Sequence, residues 1–469
     1  MKEKEARIQP KKSAVVSDMT TGSPMKLILS FALPLLGGML FQQFYSLVDT
    51  LIVGRFLGLD ALAGVGSTGS INFMIIGFVM GVANGFAIPI SQRFGAKDYK
   101  GVKSFYYHGS ILTAVFAVVM TVLVCVFSRA ILTAMHTQED IFEYAFSYIF
   151  TIFLGIPVIF LYNFTSSAIR ALGDSKAPVV FLIIASVINI ALDLTFILAC
   201  GLGVTGAALA TVISQAVSGV LCVIYIKKRV PYLHVERGKH IKKRKGYFKV
   251  LLSAGLPMGL QYSITAIGSV ILQTAVNSLG SSAIVAANTA ALRVTVFFSC
   301  PFDALGATMT TYGGQNVGAN KGERLNPGLK DAGILGIIYS AIAFLILYFL
   351  GRQLTGLFVE PDVVNRAEVM EYGWIYLTVN SAFYILLAFV NIVRFLVQGM
   401  GFSGLAVLAG VMEMIGRAAV AFIAVPLFGY PGACFASPVA WILADIFLFA
   451  AYFHCRKKVL ARSVPSAVP

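Results

Sequence analysis

Charge is scarce in this chain. Only 12% of its 469 residues are Asp, Glu, Lys or Arg, against 58% hydrophobic. A soluble domain carries about a quarter charged residues, so water is not the main solvent here. Paired cysteines are missing too. The six, Cys125, Cys200, Cys222, Cys300, Cys434 and Cys455, are scattered through mostly apolar runs without a histidine cluster, which argues against disulfides and structural zinc. Neither H-E-x-x-H nor G-x-S-x-G occurs. Of the five histidines, His108 and His136 fall near helix ends and His234, His240 and His454 in or beside basic segments, so a membrane-embedded enzyme lacks its nucleophile and base. Nothing resembles the filter loop of a channel. Residues 1–24 are charged and polar with no apolar core, which reads as a disordered tail and not as a cleaved signal peptide.

What the chain has instead is twelve apolar runs, each long enough for the roughly 20 residues that cross a hydrocarbon core of about 30 Å. Runs such as 111–127 (ILTAVFAVVMTVLVCVF) are apolar all round, where a β-barrel would alternate. The fold class is therefore an all-α polytopic membrane protein with twelve transmembrane helices. The net charge of +15 is unevenly placed. Four basic residues lie in loops on one side (Arg55, Arg129, Arg352, Arg366) and three inside runs (Arg293, Arg394, Arg417). The rest of the 36 lie in the tails and in loops after even-numbered runs. This positive-inside pattern puts both termini in the cytoplasm and explains the basic segment 227–249 as a topology anchor, compatible with lipid contact, in place of a nucleic-acid site.

The second half repeats the first. LSFALP (29–34) pairs with LSAGLP (252–257), and SQRFGAKDYKG (91–101) with GQNVGANKGER (314–324). RALGDS (170–175) pairs with QGMGFS (398–403), and GLGVTGAALAT (201–211) with LFGYPGACFAS (427–437). An even number of helices per copy implies two six-helix bundles related by a pseudo-two-fold axis along the membrane normal, which suits alternating access. The expected organisation is a tail (1–24), an N-lobe (25–226), the basic linker (227–249), a C-lobe (250–455) and a second tail (456–469).

Ionisable groups inside the runs are few and cost about 2.5–3.5 kcal/mol each on insertion scales, so each needs a partner, water or a task. Asp49 lies in the first run and Asp193 in the fifth, four residues after Asn189 and on the same helix face. Such oxygens can converge on one cation, H+ or Na+, and mutual repulsion favours its uptake. Isolated capping or hydrogen bonding of each Asp is the competing reading. Glu413 and Arg417 are also four apart and occupy the corresponding place in the second half. They read as a structural ion pair lining a wet cavity. Arg293, Asp303 and Arg394 admit similar readings, and Asp445 either faces a helix partner or water. Prolines Pro34, Pro157, Pro257, Pro301 and Pro426 fall in or near runs and permit bends. Pro34 is the hinge candidate, since bending the first helix would move Asp49 relative to Asp193. Gln42, Tyr45 and Gln261 are candidate cavity residues.

Across residues 25–455 the chain resembles the multidrug and toxic compound extrusion (MATE) transporters. VDTLIVGRFLGLDALAGVG (48–66), the QRFGA and GQNVGA turns and IRALGDSKAPV (169–179) carry the likeness. It is closer to the DinF-like branch, whose cation site implies roles for Asp49, Asn189, Asp193 and Thr211, with the same four as ligands if the ion is Na+. No acid lies between 250 and 278, and Glu371 is near the outer end of the tenth run, which speaks against the C-lobe site of the NorM-like branch. The resemblance implies export of an organic cation or amphipathic compound in exchange for H+ or Na+ at the inner membrane. It implies no cofactor, a monomer, and a small-molecule substrate and lipid as partners. A lipid-linked sugar or polyprenyl flippase is the alternative within transport, kept open by Arg293, Arg394 and Arg417.

Overall fold

The structure, a computed structural model, describes residues 17–234, 245–359 and 365–463. Most of the expected N-terminal tail, the middle of the basic linker and the end of the C-terminal tail lie outside the described residues. The first half comprises α1 (Pro24–Leu57), α2 (Leu59–Ser67), α3 (Gly69–Gly95), α4 (Tyr99–Ala134), α5 (Glu139–Leu154), α6 (Ile156–Ala171), α7 (Lys176–Leu194) and α8 (Gly203–Arg229). The second half comprises α9 (Lys245–Asn277), α10 (Ser282–Gly318), α11 (Leu325–Gly356), α12 (Arg366–Ala382), α13 (Tyr384–Gly399), α14 (Ser403–Ala419), α15 (Val425–Phe428), α16 (Tyr430–Cys434) and α17 (Ala436–Ser463). Among the described residues, ten helical stretches are long and apolar enough to cross a bilayer, and two bent pairs bring the number to twelve. Helices suit these runs because lipid offers the backbone no hydrogen-bond partner, so each N–H and C=O must be satisfied within the segment.

Two runs expected to be continuous are broken. The fourth bends by 48° between α5 and α6 and the tenth by 53° between α12 and α13. At Gly155 a Cβ would lie 2.3 Å from Val212 of α8, so the missing side chain lets the neighbouring helix enter the break. At Phe383 neither Gly nor Pro is present. There the Asn380 amide donates to the Tyr376 and Cys434 carbonyls, tying the end of α12 to α16. Pro34, Pro257 and Pro301 interrupt nothing, since α1, α9 and α10 run through them, a tolerance common in membrane helices.

The duplication is repeated in the backbone. Lys97 and Asn320 take left-handed φ of 57° and 55°, Gly173 and Gly401 φ of 89° and 94°, and Gly203 and Gly429 φ of 57° and 63°. Each pair falls in one of the matched sequence segments. The helices α7 and α14 each end in a five-residue π-helical segment, Thr195–Ala199 and Val420–Ala424, a feature frequent at functional sites.

The chain forms two compact units, residues 1–21, 41–259 and 314–320, and residues 22–40, 260–313 and 321–469. In the first, α3 and α9 approach through two G-x-x-x-G motifs. Cβ atoms at Gly81 and Gly85 would meet the backbone of Met258 and Gly255 at 2.4 and 2.5 Å, while Gly255 and Gly259 face Phe86 and Val82. Small residues at this spacing are what let helices touch in lipid, where no hydrophobic drive holds them. The repeated turns close on each other in the same unit. A Cβ at Gly95 would lie 2.0 Å from the Gln315 carbonyl oxygen, and one at Gly318 1.8 Å from that of Gln92.

Residues after Ser17 depart from the expected disordered tail. Met19 is 1% exposed. Its N–H donates to Gln315 Oε1 at 2.9 Å, and its carbonyl accepts from Asn316 Nδ2 at 3.2 Å. Gln315 Nε2 donates in turn to the Ala171 carbonyl. A buried apolar side chain and two backbone groups satisfied by amides outweigh the polar composition of this segment.

Candidate functional site

The buried face of α7 carries Leu182, Ala185, Ser186, Asn189 and Asp193 at three- and four-residue spacing, so the helical period alone turns Asn189 and Asp193 to one side. Asp193 is 0% and Asn189 1% exposed, and among the described residues none of their side-chain polar atoms has a hydrogen-bond partner. Asp49 reaches the same place from α1, with Oδ1 buried and likewise unpartnered. The two carboxyl groups lie in each other's field, and because ionised carboxylates only accept, a hydrogen bond between them needs a proton on one. Tyr45, one turn before Asp49, lies in the field of both acids.

Among the described residues neither Asp49 nor Asp193 makes an ion pair. Two like charges about 4 Å apart repel by about 4 kcal/mol at an effective dielectric constant near 20, and an unpaired buried charge adds several more. A bound cation removes both costs. Asp49 and Asp193 with the Asn189 amide oxygen form an oxygen-only set, suited to a proton or a hard cation. Thr211 on α8 is half-buried, and its carbonyl accepts from Ser214. No hydrogen bond ties it to the acids among the described residues. Tyr148 of α5 was not singled out by the sequence, yet it is buried within the field of Asp49 and Asp193. No local signal marks it, since a tyrosine in an aromatic-rich run looks like packing.

The second unit holds a different cluster. Glu413 Oε1 accepts from Arg394 Nη2, and Glu413 Oε2 from Arg417 Nη2 at 3.2 Å. The expected Glu413–Arg417 pair is thus a triad that also takes in Arg394 of α13. Gln398 Nε2 donates to Gln261 Oε1 at 2.6 Å. Asp303 is exposed and lies in the field of Arg394, while Arg293 is exposed on α10. Pro34 sits mid-helix, far along α1 from Asp49 in sequence. All six cysteines are free thiols.

The family model described as MatE matches residues 34–195 and 257–440. The chain is 30% identical over 361 residues to the probable multidrug resistance protein YoeA of Bacillus subtilis, covering 75% of this chain and 78% of that protein. It is 25% identical over 417 residues to the multidrug export protein MepA of Staphylococcus aureus, covering 87% and 88%. Among solved structures, a MOP superfamily transporter from Pyrococcus furiosus superposes with a TM-score of 0.89 at 22% identity over 97% of this chain and 100% of that one. An outward-facing MATE transporter superposes with a TM-score of 0.87 at 23% identity over 96% and 99%. The sequence matches over most of both halves, together with the duplicated helical fold, establish that the chain is a multi-pass membrane protein of the MatE family, whose members are transporters and not enzymes.

Proposed function

We propose that this chain is a secondary antiporter that exports organic cations or amphipathic small molecules in exchange for H+ or Na+ by alternating access. The observation that carries the reading is the oxygen cluster of Asp49, Asn189 and Asp193, whose acids pair with no Lys or Arg among the described residues and which gains several kcal/mol when a cation binds. Thr211 completes the DinF-like ion site when α8 shifts toward α7. Ion uptake neutralises the cluster and lets α1 repack, with Pro34 as the hinge. Release of the ion to the other side restores the repulsion and resets the transporter. In this cycle the turns around Gly95 and Gly318 part and close. The protein sits in the cytoplasmic membrane with both termini inside, works as a monomer and needs no cofactor.

The names of the relatives YoeA and MepA support a multidrug cargo. The flippase alternative has less in its favour at two of its three arginines, since Arg394 and Arg417 both pair with Glu413 and only exposed Arg293 stands outside an ion pair among the described residues. Proteoliposomes loaded with ethidium and given a pH or a sodium gradient separately provide the test. Efflux driven by one gradient and abolished by its collapse is the expected result. Ethidium movement that ignores both gradients would refute antiport.

A further inference from the structure

The two repeated turns are copies in sequence but differ in what covers them. Gln92 and Arg93 of the first correspond to Gln315 and Asn316 of the second. Arg93 is exposed and pairs with Asp98, whereas Gln315 and Asn316 are both 0% exposed and hold the segment before α1. That segment is shaped for the task. Asp18 Oδ1 accepts from the Thr20 N–H at 2.8 Å and from its hydroxyl at 2.6 Å, a turn that fixes the peptide groups on either side of Met19. Met19 then gives its N–H to Gln315 and its carbonyl to Asn316 and buries its side chain. Two residues earlier, the Ser17 carbonyl oxygen lies so near Gly173 that a Cβ there would stand 2.0 Å away. Within one compact unit, residues 17–20 therefore touch the α6–α7 turn on one side and the end of α10 on the other. They lie across a joint that Gly95 and Gly318 already close, backbone to backbone.

We propose that residues 17–20 are a strap that holds this joint shut and must be released before it can open. The strap grips only one of two equivalent turns, which marks it as a control laid over the repeated scaffold and not as part of it. Two residues of chain reach at most about 7 Å. Once Gly173 and Gln315 separate by more than that, the strap has to let go of one of them. What holds it is reversible: one buried methionine side chain and hydrogen bonds to the neutral amides of Gln315 and Asn316. Burial of a methionine biases such an equilibrium by about 10- to 150-fold, enough to set which state is populated and little enough for a transport cycle to overcome. The proposed orientation puts the joint on the cytoplasmic side, so a seated strap favours the state closed to the cytoplasm. Parting of the joint during transport rests on the alternating-access reading; closure of the joint by Met19 does not.

Hydrogen exchange of the full chain in lipid nanodiscs tests the strap through two variants. Met19→Asp puts a charge where burial forbids one and ejects the segment, while Met19→Leu keeps an apolar side chain of similar volume. In Met19→Asp, exchange over residues 92–101 and 314–322 should accelerate about 10- to 150-fold, and the Asn189 amide in α7 should keep its rate. Met19→Leu should match wild type at all three places. Wild-type protection of both turns in Met19→Asp, with residues 17–20 exchanging freely, would make the segment a passenger and overturn the proposal. A loss of protection that reaches Asn189 would overturn it too, because the segment would then support the whole fold. Turns opened by Met19→Asp in a protein whose ethidium flux follows no gradient would sink antiport and leave the strap standing.

Discussion

Replacing Gly318 by Ala probes the joint between the two repeated turns. The new Cβ would start 1.8 Å from the Gln92 carbonyl oxygen, and must recede by roughly 1.5 Å to reach ordinary C···O contact. The obstacle is backbone, so no rotamer change relieves it. Neither Gly318 nor its counterpart Gly95 has a positive φ, so Ala is locally acceptable and even gains about 1 kcal/mol of helix propensity wherever the helix persists. The closed joint alone bears the overpacking cost of about 1–3 kcal/mol, which shifts the equilibrium between closed and parted turns by about 5- to 150-fold. Gly95→Ala, 2.0 Å from Gln315, acts on the same contact, and the double variant falls short of additivity because one separation relieves both clashes. Hydrogen exchange read by mass spectrometry on residues 17–22, 92–101 and 314–322 should accelerate by that factor. Gly37→Ala, with nothing within 4 Å of its Cβ, serves as the helical control. Unchanged protection in both joint variants would refute the closed contact and the reasoning built on it.

Glu413→Gln strips the carboxylate from two buried guanidinium groups and should lower stability by about 3–5 kcal/mol, seen as a reduced melting temperature in detergent. Replacing Arg394, Glu413 and Arg417 together by Met, Leu and Met should cost far less, or stabilise, because the desolvation of the whole triad is relieved. Gln315→Ala removes the bonds to the Met19 N–H and the Ala171 carbonyl. The Met19 amide should then exchange faster while the Asn189 amide in α7 does not, at a cost of about 1–3 kcal/mol per buried group left unpaired. Gly173→Ala meets a φ of +89° and the Ser17 carbonyl at 2.0 Å, so it should destabilise more than Gly201→Ala, whose φ is +65° with nothing within 4 Å. Left-handed backbone alone costs about 1–2 kcal/mol, and the comparison of melting temperatures isolates the clash.

Much of the architecture can be read from residue order, because two strong local signals reinforce each other. Apolar length marks the spans, and the matched turns 91–101 and 314–324 mark the duplication, with Lys97 and Asn320 sharing one unusual backbone state. The breaks at Gly155 and Phe383 are not legible. The apolar runs continue across them, and their causes, Val212 entering at one and Cys434 capturing Asn380 at the other, lie far away in the chain. The candidate ion site was accessible because ionisable groups in apolar runs are rare and Asn189 and Asp193 share a helix face. Tyr148 was not, since a tyrosine in an aromatic-rich run looks like packing. Arg394 joining Glu413 depends on two helices meeting, and the burial of Met19 depends on amides 296 residues away. Composition correctly marked the N-terminal segment as polar but could not show the place it occupies.

The central claim is that Asp49 and Asp193 take up and release the driving ion. Counterflow separates this from a purely structural role: dye equilibrating across proteoliposomes without any gradient reports alternation, and gradient-driven accumulation reports coupling. The account predicts that Asp49→Asn and Asp193→Asn each keep folded protein and dye exchange but lose accumulation. Undiminished gradient-driven accumulation in both variants would contradict it.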